Sequence, residues 1–290
     1  MKSQSKPILA LALLLAIAGA SLTTRISAQS AAPEQEQFQR SFAITLAGTL
    51  SVDNYKGSVK ITAGNTNQVV INVSKHFDGS ESERKWWMEN LKIEFSNSAD
   101  HVDVQVKYPN RVCVMCWDEN YNGWVDLEIQ TPKQINLALK GYKDEVAVSA
   151  IQGDIRISSY KSPIRINDTT GAIRIDTYKD IVNLQRVAVR GVLEVKSYKA
   201  DVDIEAASLG DSASIENSKG SIRLRVTKDT GMDVDFSGGR RSSFHSDFPL
   251  STNAGGFGSE VHGTINGGGT HLRLRTERGS VSIERTTGQI

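Results

Sequence analysis

The stretch GYKDEVAVSAIQGDIRISSYKSPIRINDTTGAIRIDTYKD, Gly141–Asp180, decides the fold. It holds the tetrapeptides GYKD, SYKS and TYKD, beginning at Gly141, Ser159 and Thr177, and the series continues as SYKA at Ser197 and NSKG at Asn217, so the spacings are 18, 18, 20 and 20 residues. Each tetrapeptide leads into a short alternating run: VAV (Val146–Val148), IRI (Ile164–Ile166), IVNL (Ile181–Leu184), VDI (Val202–Ile204) and IRL (Ile222–Leu224). Most units carry a second run opened by Gly, as in GDIRI (Gly153–Ile157), GAIRI (Gly171–Ile175) and GVLEV (Gly191–Val195). Period-two alternation sends Ile164, Ile166, Ile173 and Ile175 inward and Arg165 and Arg174 outward. One such unit cannot bury its own apolar face, so neighbours must stack. The fold predicted is all-β, a two-sheet β-solenoid of stacked 18–20-residue coils with one short helix. The register aligns Ile155 with Ile173, and Ile164 with Ile181 or its neighbour.

Related copies stand far off in the chain, as NYKGSVKI (Asn54–Ile61) and TERGSVSI (Thr276–Ile283). Residues 42–75 and 92–130 read as strands. Ser80 to Leu91 is the helix: Ser80 and Glu83 make a capping-box pattern, and Trp87, Met88 and Leu91 lie on one face. Residues 237–269, rich in Gly and Ser without a steady period, read as loop and turn.

The first residues read as a targeting signal. Lys2 and Lys6 precede an apolar run, Ile8–Ile17, too short to span a bilayer comfortably, and small residues offer cleavage after Ala20 or Ala28. The division that follows is 1–28 signal peptide, 29–39 mobile tail and 40–290 solenoid domain, with no transmembrane segment after cleavage. Removing Lys2, Lys6 and Arg25 leaves 31 basic against 33 acidic residues, a net charge of −2. That balance argues against a nucleic-acid partner, which selects a basic excess.

The motifs resemble those of the bacterial putative-adhesin domain of unknown function, a family of exported β-solenoids. The likeness is carried by GTLSVDNYKGSVKI (Gly48–Ile61) with VVINVSK (Val69–Lys75), by the central coils, and by GTINGGGTHLRLRTERGSVSI (Gly263–Ile283). It covers about residues 40–290. The chain departs from the pattern in carrying Tyr-Lys at corners where Asn-Gly is commoner, and in an insertion containing Cys113 and Cys116. The resemblance implies an exported protein of the periplasm or cell surface and adhesion, and it supplies no catalytic residues.

Lys143, Lys161, Lys179, Lys199 and Lys219 share one repeat position, and stacking would place them in a ladder. Such a ladder could bind an anionic polymer. Its plain alternative is a solvated face neutralised by Asp144, Asp180 and Asp201, which is the ordinary state of Lys. Tyr142, Tyr160, Tyr178 and Tyr198 form a matching ladder. Exposed, it could stack on sugar rings, but strict recurrence at a turn argues for packing. Asp118, Asn120 and Asn122 match the first half of a calcium loop, D-x-N-x-N-G, but position twelve is Ile129, and a hairpin around Asn122-Gly123 is the better reading. Cys113 and Cys116, in an exported chain, suggest a disulfide, although residues three apart in a flat strand point to opposite faces. No H-E-x-x-H, G-x-S-x-G or phosphate-loop pattern occurs, and no cofactor is implied.

The function these features predict is an exported cell-envelope structural or adhesin-like binding module without catalytic activity, with an envelope glycan or another envelope protein as partner. The alternatives are a polysaccharide-active enzyme on the same fold, and an envelope-stress accessory protein meeting a membrane partner through Trp86-Trp87.

Overall fold

The computed structural model describes residues 34–109, 122–252 and 260–286. The expected signal peptide, residues 29–33 of the tail, Cys113, Cys116, Asp118 and Asn120 lie outside them. The described chain is all-β with one helix, Glu81–Asn90.

The repeat is realised as two series of parallel ladders. In the first, Ile155–Ser159 lies between Asn136–Gly141 and Thr170–Leu209, with Ile155 opposite Leu137 on one side and Ile173 on the other. In the second, Ile164–Asn167 lies between Val146–Ser149 and the same long strand, with Ile164 opposite Val146 and Val182. The partner of Ile164 is therefore the neighbour of Ile181, whose own side chain is exposed. Further along, Val195 faces Ile215 and Ile204 faces Leu224, an offset of 20 residues that follows the sequence spacing.

The two remote copies flank this stack. Thr49–Asn54 pairs in parallel with Asn136–Gly141, and Val59–Gly64 with Val146–Ser149, so the first copy adjoins the first central repeat. At the other end Thr270–Arg285 pairs with Ser212–Lys219 and with Ile222–Val226. Inward residues of both series, among them Ile155, Ile173, Ile164 and Leu184, are buried in one core. Arg156 and Arg165 are exposed and Arg174 is half-buried, as alternation requires.

Two segments differ from their expected state. Residues 34–39, expected in the tail, belong to the strand Glu34–Ala43, which pairs antiparallel with Gln68–Phe77 over ten residues. Its composition is polar because most of it faces water. It is held by Phe38 and Phe42, which meet Phe95 at 6.4 and 5.8 Å. Residues 237–269, expected as loop and turn, include most of the strand Met232–Ser246 and the strand Glu260–Ile265. The first of these runs parallel to Thr270–Arg285, with a register shift between Gly238 and Arg241. That bulge resets the two-residue period, so the sequence loses its rhythm while the ladder continues.

The helix begins where the capping box places it: the Ser80 side chain accepts from the Glu83 N–H, and the Glu83 carboxylate accepts from the Ser80 N–H at 3.1 Å. Trp87 is buried against Phe77, ring centroids 5.6 Å apart, and close over Gly123, where an added Cβ would meet its indole at 2.3 Å. A membrane contact through Trp87 is thereby contradicted, because that indole is part of the core.

Candidate functional site

Each first-series strand ends at a corner, and the corners superpose because the ladders are in register. Two of them are tied from inside by buried asparagines. Asn54 donates to the carbonyls of Gly57 and Val125, and Asn217 donates to the Ala200 carbonyl at 2.7 Å while accepting from the Ser197 hydroxyl. These bonds satisfy corner backbone groups that the ladder leaves over.

On the outside of the corners Tyr142, Tyr160, Tyr178 and Tyr198 stack in one column, with successive centroids 5.0, 4.8 and 5.0 Å apart and planes within 14° of parallel. Tyr55 extends the column, 4.4 Å from Tyr142. Reading by sequence left Tyr55 and Lys56 out of the site, although NYKG carried the signal; only the pairing of Thr49–Asn54 with Asn136–Gly141 joins them to it. The column is both packed and exposed. Ring faces meet one another, yet Tyr55, Tyr178 and Tyr198 remain 44, 42 and 40 % exposed, through their edges and hydroxyls. Tyr108 closes the far end edge-on to Tyr55, 6.1 Å away. Its hydroxyl is buried, donates to the Lys56 carbonyl, accepts from the Val125 N–H, and is pushed far above the ordinary tyrosine range by burial.

The lysines follow the rings. Lys143 and Lys161 hold Nζ 5.8 and 5.0 Å from the centroids of their neighbouring rings, and Lys219 lies 4.7 Å from the Tyr198 centroid and donates to its hydroxyl at 2.8 Å. Lys199 is opposite Lys219, and Lys219 opposite Arg278. Among the described residues Lys143, Lys161, Lys179 and Lys199 form no ion pair. The aspartates expected to neutralise them serve the backbone instead. Asp144 accepts from the Gly57 N–H at 2.7 Å, Asp180 from the Ile181 N–H, and Asp201 from the N–H and hydroxyl of Ser221. The Ser221 bonds hold the Asp201 carboxyl below the usual carboxylate range. At Lys56, burial comes first and the charge of Lys143 second in lowering the ammonium pKa, against an opposing pull from Asp144.

Beyond Tyr198 the ring position is taken by Ser218 and Glu277, and an open groove of about 450 Å³ follows, lined by Tyr178, Tyr198, Lys196, Glu216, Arg275 and Glu277. Asn122 is exposed beside Gly123 and accepts through its carbonyl from the Asp78 N–H. Among the described residues no group of three His, Cys, Asp or Glu side chains could hold a metal ion. Outward carboxylates near the centre of the stack face cations: Glu145 with Arg165, Glu194 with Lys196, and Asp203 with Arg225. No described helix is long and apolar enough to cross a membrane.

No family model matches the chain, and no curated protein matches it. Among solved structures it is similar to a putative cell adhesion protein from Clostridium sporogenes, at 12 % identity and TM-score 0.39, over 87 % of this chain and 100 % of that one. It is similar also to a putative adhesin from Bacteroides fragilis, at 12 % identity and TM-score 0.36, over 88 % and 99 %. A putative lipid binding protein from Parabacteroides distasonis matches at 11 % identity and TM-score 0.30, over 87 % and 97 %.

Proposed function

We propose that the chain is an exported cell-envelope binding module without catalytic activity, and that its in-register coils form a flattened two-sheet β-solenoid displaying the Tyr-Lys edge as its binding face. Residues 1–28 act as the export signal and the domain occupies most of the remainder, in the periplasm or at the cell surface. The partner is an envelope glycan. The observation that carries this reading is the lysine row: Lys143, Lys161, Lys179 and Lys199 stand at one position of successive coils, unpaired, on a column of rings that cannot flex independently. A rigid line of like charge raises the local concentration of an oppositely charged polymer. The same row is a poor catalytic centre, because it offers no carboxylate pair and no nucleophile with an adjacent base.

The test is cosedimentation of purified residues 29–290 with the isolated envelope fraction, against the variant Lys143→Gln, Lys161→Gln, Lys179→Gln, Lys199→Gln. Binding should weaken by about tenfold or more at low salt, since steering by a charged face acts on that scale. An unchanged affinity in a variant with an unchanged melting curve would remove the Tyr-Lys edge from the function.

A further inference from the structure

Resting on that reading, we propose that the occupant of the Tyr-Lys edge is a linear polyanionic glycan with one carboxylate per sugar, a polyuronate, laid along the stacking direction with one sugar to each coil.

The first ground is the contrast in sign between this row and its neighbours. Three residues before the lysine row lies the last outward position of the first-series strands, where charges alternate across the ladder: Asp53 is opposite Lys140, and Lys196 opposite Glu216, which is opposite Arg275. One row nearer the centre Arg174 approaches Glu194. In the second series Arg223 lies between Asp203 and Glu284. Like charges directly opposite destabilise a ladder, and in the rows beside the corner at most two adjoin, as Arg156 opposite Arg174. The corner row is longer, running Lys143, Lys161, Lys179, Lys199 and Lys219 in succession. At the first step burial, and after it the charge of Lys143, lowers the Lys56 ammonium pKa, against an opposing pull from Asp144. A row that opposes folding in this way is accounted for by a ligand that supplies the missing charges.

The second ground is spacing. The step between the lysine backbones is set by hydrogen bonding, about 4.8 Å, and the rings beside them keep a matching step of 4.4–5.0 Å. A hexuronic acid in an extended 1→4 chain advances by close to that step and brings one carboxylate with it, so charge meets charge along the run without either partner distorting. Polyphosphate, and a stacked nucleic-acid strand with one phosphate per about 3.4 Å, carry their charges more densely.

The third ground is the column of rings. Their faces are occupied by one another, and the outer face of Tyr198 by Lys219, so a neutral sugar finds no free face to lie on. What the column presents is ring edges and hydroxyls. The bond from Lys219 to the Tyr198 hydroxyl puts that hydroxyl within reach of the lysine row, so a carboxylate on the row can accept from both. The row runs on past Lys219, with Arg278 opposite it and Arg241 opposite Arg278. From Lys143 to Arg241 there are six steps of about 4.8 Å, roughly 29 Å, or about seven sugars.

Calorimetry with residues 29–290 and oligogalacturonates from dimer to octamer tests this. Affinity should rise with each added residue and level off near seven. Methyl-esterified oligomers should not bind detectably, and Lys161→Gln with Lys179→Gln should lower hexamer affinity about tenfold or more. Lys60→Gln with Lys228→Gln, away from the edge, should leave it unchanged and controls for total charge. Affinity independent of length, equal binding of the esterified chain, or tighter binding of polyphosphate at matched charge would overturn the inference. Envelope binding that stays sensitive to the four lysines while oligogalacturonates fail would sink the polyuronate and leave the binding face standing. Envelope binding indifferent to those lysines would sink both.

Discussion

Replacing Ile173 and Arg174 one at a time tests the stack where it is most regular. Ile173 is 1 % exposed and sits opposite Ile155 in a parallel ladder. Truncation to Ala removes three carbons, worth about 2.4 kcal/mol at roughly 0.8 kcal/mol for each buried methylene. The void adds to this, because hydrogen-bonded strands on either side resist collapse. They are already in contact at the turn before it, where an added Cβ on Gly171 would lie 2.1 Å from the Gly153 carbonyl oxygen. The expected loss is about 2–5 kcal/mol. Arg174 points the other way, and its Nε stands 3.9 Å from a Glu194 carboxylate oxygen with 37 % of its side chain exposed. Arg174→Ala should cost within about 0.5 kcal/mol, as surface pairs do. Urea denaturation of both variants, read by midpoint at constant slope, decides between them. Equal losses, or a larger loss at Arg174, would refute the assignment of faces, since a one-residue slip exchanges them.

Tyr160→Ala removes two ring stacks, to Tyr142 and Tyr178, and should lower stability by roughly 1–3 kcal/mol in thermal melts, while Tyr160→Phe keeps the stacks and should change it little. Gly153→Ala places a Cβ 2.0 Å from the Ile135 carbonyl oxygen and should cost about 1–3 kcal/mol by denaturation, whereas Gly64→Ala, with nothing within 4 Å, should be near neutral. Asp201 is held below the usual carboxylate range by Ser221, so its contribution is complete above the unfolded value of about 4 and is lost as pH falls through the lower folded value. Asp201→Asn should therefore be destabilised near neutrality and show a flatter acid limb than the wild type in melts taken between about pH 2 and 5.

The ladders were legible because tetrapeptide spacing fixes the offset and alternation fixes the face, so that Ile155 opposite Ile173 follows from counting. Where two apolar residues adjoin, as in Ile181-Val182, counting stops short. The continuation Val182-Asn183-Leu184 selects Val182, and Ile181 is left at the exposed corner. The strand Glu34–Ala43 was hidden because its pairing partner, Gln68–Phe77, lies beyond two intervening strands and its composition is that of a solvated segment. The strand Met232–Ser246 was hidden by its bulge. At the site, the recurrence of Tyr-Lys gave the column and the row. The duties of Asp144 and Asp201 could not be read, because their backbone partners belong to other repeats, as far off as the separation of 87 between Asp144 and Gly57. The inclusion of Tyr55 needed the same long-range register.

The binding face is tested most directly by lysine footprinting. Residues 29–290 are treated with an amine-acetylating reagent with and without the isolated envelope fraction, and modification is read lysine by lysine by mass spectrometry. Lys143, Lys161, Lys179 and Lys199 should lose reactivity together when the envelope material is bound, while Lys60, Lys107 and Lys228 keep theirs. Bound protein in which the four corner lysines stay as reactive as in the free chain, with protection falling elsewhere, would contradict the account.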